Sequence, residues 1–138
     1  MARSTATGRQ RKSRGGFTFI EMVMVITLVA ILVAIAVPVY QAQILSSNEA
    51  VLKHNLVTIR DRLDQFKADR GVYPYSLEEL VEAGYLRDIP MDPMTKSTDW
   101  EPIYEDYDPD EPDVELGIYD VKSLSPDFGM NGTPYNEW

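Results

Sequence analysis

The sequence contains no cysteine and only one histidine, His54, among its 138 residues. Without cysteine, a disulfide framework, a thiolate metal site and a cysteine nucleophile are all excluded. The single histidine falls within a predicted helix, where we interpret it as a surface or subunit-contact residue. Cysteine and histidine, two residue types that often perform catalysis or bind metals, are therefore absent or nearly so in this chain.

Basic residues are also scarce after the first 16 residues. Five of the 13 Lys and Arg residues lie in residues 1–16, which contain no Asp or Glu. The remaining chain combines eight basic with 22 acidic side chains, a formal net charge of −14. Such a surface repels phosphate backbones, which argues against a nucleic-acid partner, and it suits a hard cation such as calcium.

A long apolar segment follows this basic leader. Residues 17–40 contain one charged side chain, that of Glu21. As a helix they would extend about 36 Å, enough to cross a hydrocarbon core of about 30 Å. We predict a transmembrane helix, with the basic leader on the cytoplasmic side and the residues beyond about 41 on the far side.

Two other interpretations of this segment are an ordinary secretory signal peptide and an uncleaved membrane anchor. Residues 34–36, Ala-Ile-Ala, imitate the cleavage site of a signal peptide. The apolar segment is nevertheless longer than the roughly 7 to 15 residues of such a signal, and an acidic residue near its start has no purpose there. A simple anchor accounts for the hydrophobicity but not for the residues around Glu21.

Beyond the apolar segment, the pattern predicts that the helix continues to about Arg70. Apolar residues recur at spacings of three, four and seven, which lines one helix face with core side chains. Gly71 and Pro74 then end the pattern. Pro38 lies inside the helix, where it would either kink the backbone or melt a turn, or be tolerated as prolines in transmembrane helices commonly are. The apolar face comprises Leu45, Leu52, Leu56, Ile59, Leu63 and Phe66.

Two pairs of opposite charge have helical i,i+4 spacing on the opposite side of this helix. They are Glu49 with Lys53, and Arg60 with Asp64. Each such pair contributes only about 0.2–0.5 kcal/mol, so the apolar face is expected to hold the helix in place.

The residues after Gly71 predict a small head of mixed structure. Residues 76–79, Ser-Leu-Glu-Glu, form a capping box for a short helix that Gly84 ends. Residues 85–93 are rich in Pro and Asp, which predicts a loop. Apolar residues alternate at Val114, Leu116 and Ile118, which predicts a strand, with an antiparallel partner at residues 100–107. The prediction is an α+β fold, in which a short antiparallel sheet packs on the polar half of the long helix.

The hexapeptide at residues 16–21, GFTFIE, resembles the cleavage and methylation motif of type IV pilins and of the pseudopilins of type II secretion systems. Further short stretches resemble the major pseudopilin of type II secretion systems. The chain departs from that family at Met94 and Thr95, where a tryptophan and a glycine are usual. The short matching stretches are residues 71–74, 77–80, 84–86, 89–93 and 117–123.

This resemblance implies that a prepilin peptidase cuts between Gly16 and Phe17 and that the new amino group of Phe17 is then methylated. It implies that Glu21 is an assembly residue, neutralised by the Phe17 amine of a neighbouring subunit. In similar filaments the helix unwinds near the position of Pro38. The implied organisation is a cleaved leader at residues 1–16, a transmembrane and polymerisation half of the helix at 17–40, and a pilin-like globular domain at 41–138.

The implied function is structural and not enzymatic: a filament subunit of the pseudopilus of a type II secretion system. Its implied partners are further copies of the chain, minor pseudopilins, the prepilin peptidase, an inner-membrane assembly platform with its ATPase, and lipid before assembly. The chain would cross the inner membrane once, with its amino terminus in the cytoplasm and its globular domain in the periplasm. The filament would lie in the periplasm or at the cell surface. A subunit of a type IV pilus for adhesion, motility or DNA uptake is the alternative.

The resemblance also implies that the loop after the last strand binds calcium. The implied ligands are Ser123, Leu124, Asp127 and Asn131. A downstream pair of aspartates that is usual in the family is missing here.

A membrane-anchored enzyme is the third interpretation, because nine carboxylates lie between Asp99 and Glu115. General acid–base catalysis would use such groups in pairs. They are not accompanied by a histidine, a serine constellation or a Gly-rich phosphate loop, so a solvated acidic face is expected instead.

Overall fold

The computed structural model describes residues 15–106, 109–110 and 115–138. A long helix followed by a two-stranded antiparallel sheet confirms the predicted α+β class. Most of the predicted leader, residues 1–14, lies outside the described residues. The chain divides into two compact units, Met1–Tyr40 and Gln41–Trp138. In chain order the elements are α1 (Phe19–Arg70), α2 (Leu77–Glu82), β1 (Glu101–Tyr104), β2 (Ile118–Lys122) and a C-terminal 3₁₀ helix (Tyr135–Glu137).

Helix α1 begins two residues later than predicted, after a capping box. Thr18 Oγ1 accepts the N–H of Glu21 at 3.2 Å, and the Glu21 carboxylate accepts the N–H of Thr18 at 3.4 Å. The Thr18 hydroxyl thereby pairs one of the amides that the start of a helix leaves without an intrahelical partner. The helix ends at Arg70, as predicted, because Gly71 adopts a left-handed φ of 81°. α1 continues through Pro38, with helical residues on both sides.

The core of the unit Gln41–Trp138 lies against the predicted apolar face of α1. Leu45 is the exception, with 38% of its surface exposed, because burial along this helix begins only at Glu49. Full burial of a leucine stabilises a fold by roughly 1.5–3 kcal/mol, so burial of this face contributes more to stability than the surface ion pairs do. The buried face comprises Leu52, Leu56, Ile59, Leu63 and Phe66. The other segments contribute Leu77, Leu80, Leu86, Trp100, Ile118, Val121 and Tyr135.

The two strands pair antiparallel, as predicted, but β1 is shorter than predicted and β2 starts later. Glu101 lies opposite Lys122, and a bulge interrupts the register between Ile103 and Tyr104. The second strand was predicted to begin near residue 114, which lies outside the described residues, yet 115–117 are not strand and β2 begins at Ile118. The sequence pattern was therefore wrong about where this strand starts.

Close contact with the loop after α1 accounts for the late start of β2. Gly117 lies so close to Tyr73 that an added Cβ would be 2.5 Å from the Tyr73 Cβ atom. The N–H of Ile118 then donates to the carbonyl oxygen of Pro74 at 2.8 Å. Gly117 and the first residue of β2 thus contact the loop that follows α1.

Helix α2 has the predicted capping residues at both ends. Ser76 Oγ accepts the N–H of Glu79 at 3.3 Å, whereas the Glu79 carboxylate accepts the N–H of Tyr75 at 2.8 Å. The Glu79 side chain therefore bonds the amide of Tyr75, the residue before the N-cap. In the standard capping box it would bond the amide of the N-cap residue itself. Gly84 follows the helix with a left-handed φ of 83°, as the C-terminal signal predicted.

Candidate functional site

The predicted cleavage bond lies in an exposed, non-helical stretch ahead of α1. Gly15, Gly16 and Phe17 are exposed, and nothing lies within 4 Å of a Cβ built on either glycine. Phe17 has 74% of its surface exposed. The bond between Gly16 and Phe17 is therefore open to a peptidase. That this bond is cut stays a prediction.

Glu21 lies in the first turn of α1, where its charge suits the positive end of the helix dipole. Its partners in this structure are the main chain and side chain of Thr18. Thr18 was not among the predicted site residues, although the spacing Thr-x-x-Glu is itself the signature of a capping box. Glu21 thus has a weak local partner, 3.4 Å away, that a stronger cationic partner could displace.

The apolar side chains after Glu21 are exposed in this chain. α1 is long and apolar enough to cross a membrane by length and composition, and its most apolar window of 18 residues has a mean hydropathy of 3.0. None of that window is buried. These side chains require lipid or neighbouring protein for cover. Among the exposed residues are Phe19, Ile20, Ile26, Leu32, Ile35, Val39 and Tyr40.

The four residues predicted to bind calcium lie in one loop, but polar groups of three of them, Ser123, Asp127 and Asn131, already have protein partners. The buried Ser123 hydroxyl donates to the Asp92 carboxylate, and Asn131 Oδ1 accepts the N–H of Thr133 at 3.0 Å. The main-chain oxygen of Asp127 accepts the N–H of Tyr135 at 2.9 Å.

A calcium ion usually takes six to eight oxygen ligands, including several carboxylates. The predicted set offers one carboxylate, that of Asp127, and Leu124 can contribute only its main chain. In the part of the chain that the structure describes, no group of three or more His, Asp or Glu residues could hold a metal ion. These residues fit a calcium ion poorly, and calcium binding stays a prediction.

A buried carboxylate of α1 is also hydrogen-bonded to this loop. Glu49 is 8% exposed, and its Oε1 accepts the N–H of Met130 at 2.7 Å and the hydroxyl of Tyr135 at 2.9 Å. Burial, and then the bond to Glu49, raises the pKa of Tyr135 to about 12. The i,i+4 spacing of Glu49 to Lys53 predicts a surface ion-pair residue, and this prediction is wrong. The position of this acidic residue beside the apolar face of the helix was the feature of the sequence that could have indicated its burial.

Arg60 joins α1 to the sheet and to the C-terminal segment. Its Nε donates to Asp120 Oδ1 at 2.6 Å, and its Nη2 donates to the main-chain oxygens of Val121 at 3.0 Å and Trp138 at 2.9 Å. Asp64, which helical spacing had suggested as its partner, instead accepts the Tyr73 hydroxyl at 3.3 Å. Arg60 therefore has a structural role that spans three segments.

The described residues of the acidic segment between 99 and 115 give no support to an enzymatic site. Glu105 forms an ion pair with Lys67 at 2.8 Å, which raises the pKa of Lys67. Asp99 is exposed and accepts the hydroxyl of Ser97 at 2.6 Å. Three members of the segment, Asp108, Glu111 and Asp113, lie outside the described residues.

Comparison with known proteins supports the resemblance seen in the motif. The family described as the prokaryotic N-terminal methylation motif matches residues 11–37. The chain is 31% identical to the type II secretion system core protein G of Escherichia coli strain K12, over 91% of this chain and 88% of that protein. It is 32% identical to the protein of the same name in Pseudomonas aeruginosa, over 61% of this chain and 70% of that protein. No solved structure matches the chain. The exposed processing motif, the pilin-like fold and these similarities establish that the chain belongs to the type II secretion system core protein G family, the major pseudopilins.

Proposed function

We propose that this chain is a structural subunit that polymerises into the pseudopilus of a type II protein secretion system. The observation that carries the proposal is the exposed apolar half of α1, whose only charge within residues 17–40 is Glu21. A surface of this kind is stable in lipid, and the same surface is covered when several such helices pack side by side. Its relatives are structural subunits, so the chain is a filament protein and not an enzyme.

The proposed sequence of events begins with removal of residues 1–16 by a prepilin peptidase and methylation of the Phe17 amine. Until the chain joins a filament, residues 17–40 would anchor it in the inner membrane, with the amino terminus in the cytoplasm and the unit Gln41–Trp138 in the periplasm. An assembly platform and its ATPase would then add the subunit to a filament that also contains minor pseudopilins. In this scheme, residues 1–16, 17–40 and 41–138 are the leader, the polymerisation segment and the globular domain.

The proposed role of Glu21 follows from the cost of a carboxylate in lipid. Insertion scales assign roughly 2.5–3.5 kcal/mol to an acidic residue at the centre of a membrane helix. Cleavage creates a new cation, the amino group of Phe17. A neighbouring subunit's Phe17 amine would displace the weak Thr18 contact and fix the axial step between two subunits. Pro38 would allow α1 to unwind locally in the filament, because its ring removes one helical hydrogen bond.

The first experiment compares the wild-type chain with Glu21→Ala, Glu21→Gln and Glu21→Asp in the native host. Mass spectrometry of the membrane-bound protein should find an N-methylated Phe17 as the first residue in all four. Filament yield should fall at least about tenfold in the Ala and Gln variants, since both lack the charge that pairs with the amine. The Asp variant retains that charge and should assemble better than either.

Three results would contradict the proposal. A mature chain starting at Met1 or after Ala36 would indicate an anchor or a secreted protein. Normal filament yield from Glu21→Ala would contradict the proposed pairing of Glu21 with the Phe17 amine of a neighbouring subunit. Filaments that extend as surface fibres at the native expression level, without any effect of gene deletion on secretion, would favour a type IV pilus subunit.

A further inference from the structure

The C-terminal loop, defined here as residues 123–138, closes around a carboxylate that comes from α1. Glu49 lies 81 residues before Met130 and 86 residues before Tyr135, yet its Oε1 accepts hydrogen bonds from both. The Glu49 side chain is buried with the Tyr135 ring, which is only 1% exposed. One oxygen atom thus fixes two points of the loop against the helix.

The rest of the loop leaves little room for rearrangement around this oxygen. The N–H of Gly129 donates to the Thr133 carbonyl oxygen at 2.9 Å. A Cβ added at Gly129 would lie 2.6 Å from the Trp138 ring and 3.3 Å from Glu49 Oε1. The Trp138 and Tyr135 rings meet edge to face, with centroids 5.0 Å apart. The loop therefore approaches Glu49 with its main chain and packs its two aromatic rings beside it.

The polarity of this arrangement is opposite to that of a calcium site. A calcium ion orders a loop by drawing oxygen lone pairs toward itself. The Glu49 carboxylate instead draws an N–H and an O–H toward itself, and these are groups that a cation repels. Lys53, one turn further along α1, has its ammonium 4.7 Å from the centre of the Trp138 ring.

A second buried carboxylate fixes the beginning of the loop in the same manner. Asp92 has no exposed surface and accepts the Ser123 hydroxyl as well as the N–H of Met94 at 2.7 Å. The Ser123 hydroxyl also accepts the N–H of Ser125 at 3.1 Å. Ser123, one of the predicted calcium ligands, is thereby committed to a protein partner.

We propose that Glu49 orders the C-terminal loop in the role that a calcium ion would otherwise have, so that the globular domain folds and stays folded without a divalent cation. Asp92 supports it at the start of the loop. This inference rests on the contacts within Gln41–Trp138 and is independent of whether the chain forms a pseudopilus. It predicts that a change in calcium concentration leaves the loop unaffected, whereas loss of the Glu49 carboxylate disorders it.

The first test measures thermal unfolding of the mature full chain in detergent micelles, in millimolar calcium chloride and in excess EGTA. An ion that binds only the folded state raises the melting temperature as its concentration increases. The expected result is the same melting temperature in both solutions. A calcium-dependent increase that saturates, and that Asp127→Asn abolishes, would overturn the proposal.

The second test compares Glu49→Ala with Asp61→Ala, a matched control that removes an exposed carboxylate from the same helix. Amide hydrogen exchange at Met130 should accelerate at least about tenfold in Glu49→Ala, since its acceptor is gone, and should be unchanged in Asp61→Ala. Excess calcium should not restore protection.

Two milder variants keep the test decisive if Glu49→Ala does not fold. Tyr135→Phe removes one of the two donors and retains the ring, and Glu49→Gln retains a neutral acceptor. Both should lower the melting temperature relative to Asp61→Ala, and both should accelerate exchange at the C-terminal loop in calcium and in EGTA alike. If both variants match Asp61→Ala, Glu49 does not order the loop and the proposal is wrong.

Discussion

The hydroxyl of Tyr135 is buried beside the Glu49 carboxylate, and this environment opposes its ionisation. Burial disfavours the phenolate, and the carboxylates of Glu49 and Asp127 disfavour it further, which together raise the pKa of Tyr135 from 10.0 to about 12. Unfolding returns the tyrosine to water, where its pKa is about 10. The stabilisation that this proton provides is therefore complete below pH 10 and is lost as the pH rises toward 12.

This difference predicts a specific alkaline instability. The urea midpoint of the wild-type chain should fall between about pH 10 and about pH 12, because the unfolded state releases the Tyr135 proton at lower pH than the folded state does. Tyr135→Phe should start from a lower midpoint, having lost its hydrogen bond, but its midpoint should fall less over that range. Tyr73, Tyr85 and Lys67 also have raised pKa values and remain in both proteins, so the difference between the two profiles isolates Tyr135. Parallel profiles would contradict the assignment.

Sequence reasoning located the charged residues of α1 but gave two of them the wrong partners. The i,i+4 rule considers neighbours on one helix, whereas Glu49 and Arg60 bond residues that follow in the chain by 60 or more positions. Such contacts depend on where the later loops pack against the helix. The spacing of residues within one helix does not predict this. The apolar face and the C-terminal ends of both helices were predictable, since each depends on local periodicity or on a local glycine.

At the scale of elements, the same limit applies to strand β2. The alternation of Leu116 and Ile118 indicated a strand correctly, yet its start was decided by the approach of Gly117 to Tyr73. Among the site residues, the processing motif was readable because it is a contiguous string. The hydrogen bonds that Ser123 and Met130 of the C-terminal loop donate could not be predicted, because their acceptors, Asp92 and Glu49, are distant in sequence.

The link between α1 and β2 supplies a prediction at this scale. Arg60→Ala removes three hydrogen bonds, to Asp120, Val121 and Trp138, and leaves the Asp120 carboxylate without its ion pair. Both charged side chains are about one-third exposed, with 34% and 29% of their surfaces accessible, so solvent screens part of the loss. We expect the free energy of unfolding to fall by about 1–3 kcal/mol, measured by urea denaturation.

Arg62→Ala is the matched control for this experiment. Arg62 lies on the same helix, is exposed, and donates to Gln65 within α1 at 2.6 Å. Its removal should change stability by less than about 0.5 kcal/mol, as is usual for surface substitutions. Equal losses in the two variants would mean that Arg60 does not link the elements.

At the scale of the whole molecule, the two compact units have opposite solvent requirements. The core residues found in the described part of the chain all lie within the unit Gln41–Trp138. That unit also has 21 acidic and eight basic side chains, a net charge of −13 that opposes self-association. The apolar segment at residues 17–40, in contrast, exposes large hydrophobic side chains along its length.

This division predicts that a chain beginning at Gln41 folds as a monomer without detergent, because it retains the whole described core and loses the exposed apolar segment. Size-exclusion chromatography with light scattering should give the monomer mass, and circular dichroism should show cooperative unfolding. Trp100, which is 6% exposed and donates to the Pro90 carbonyl oxygen at 2.9 Å, should have the blue-shifted fluorescence of a buried indole. The chain beginning at Phe17 is the control, and it should need detergent to remain in solution. Aggregation of both chains would mean that residues before Gln41 contribute to the fold of the globular unit. A folded monomer from the shorter chain would mean that self-association depends on the apolar segment alone.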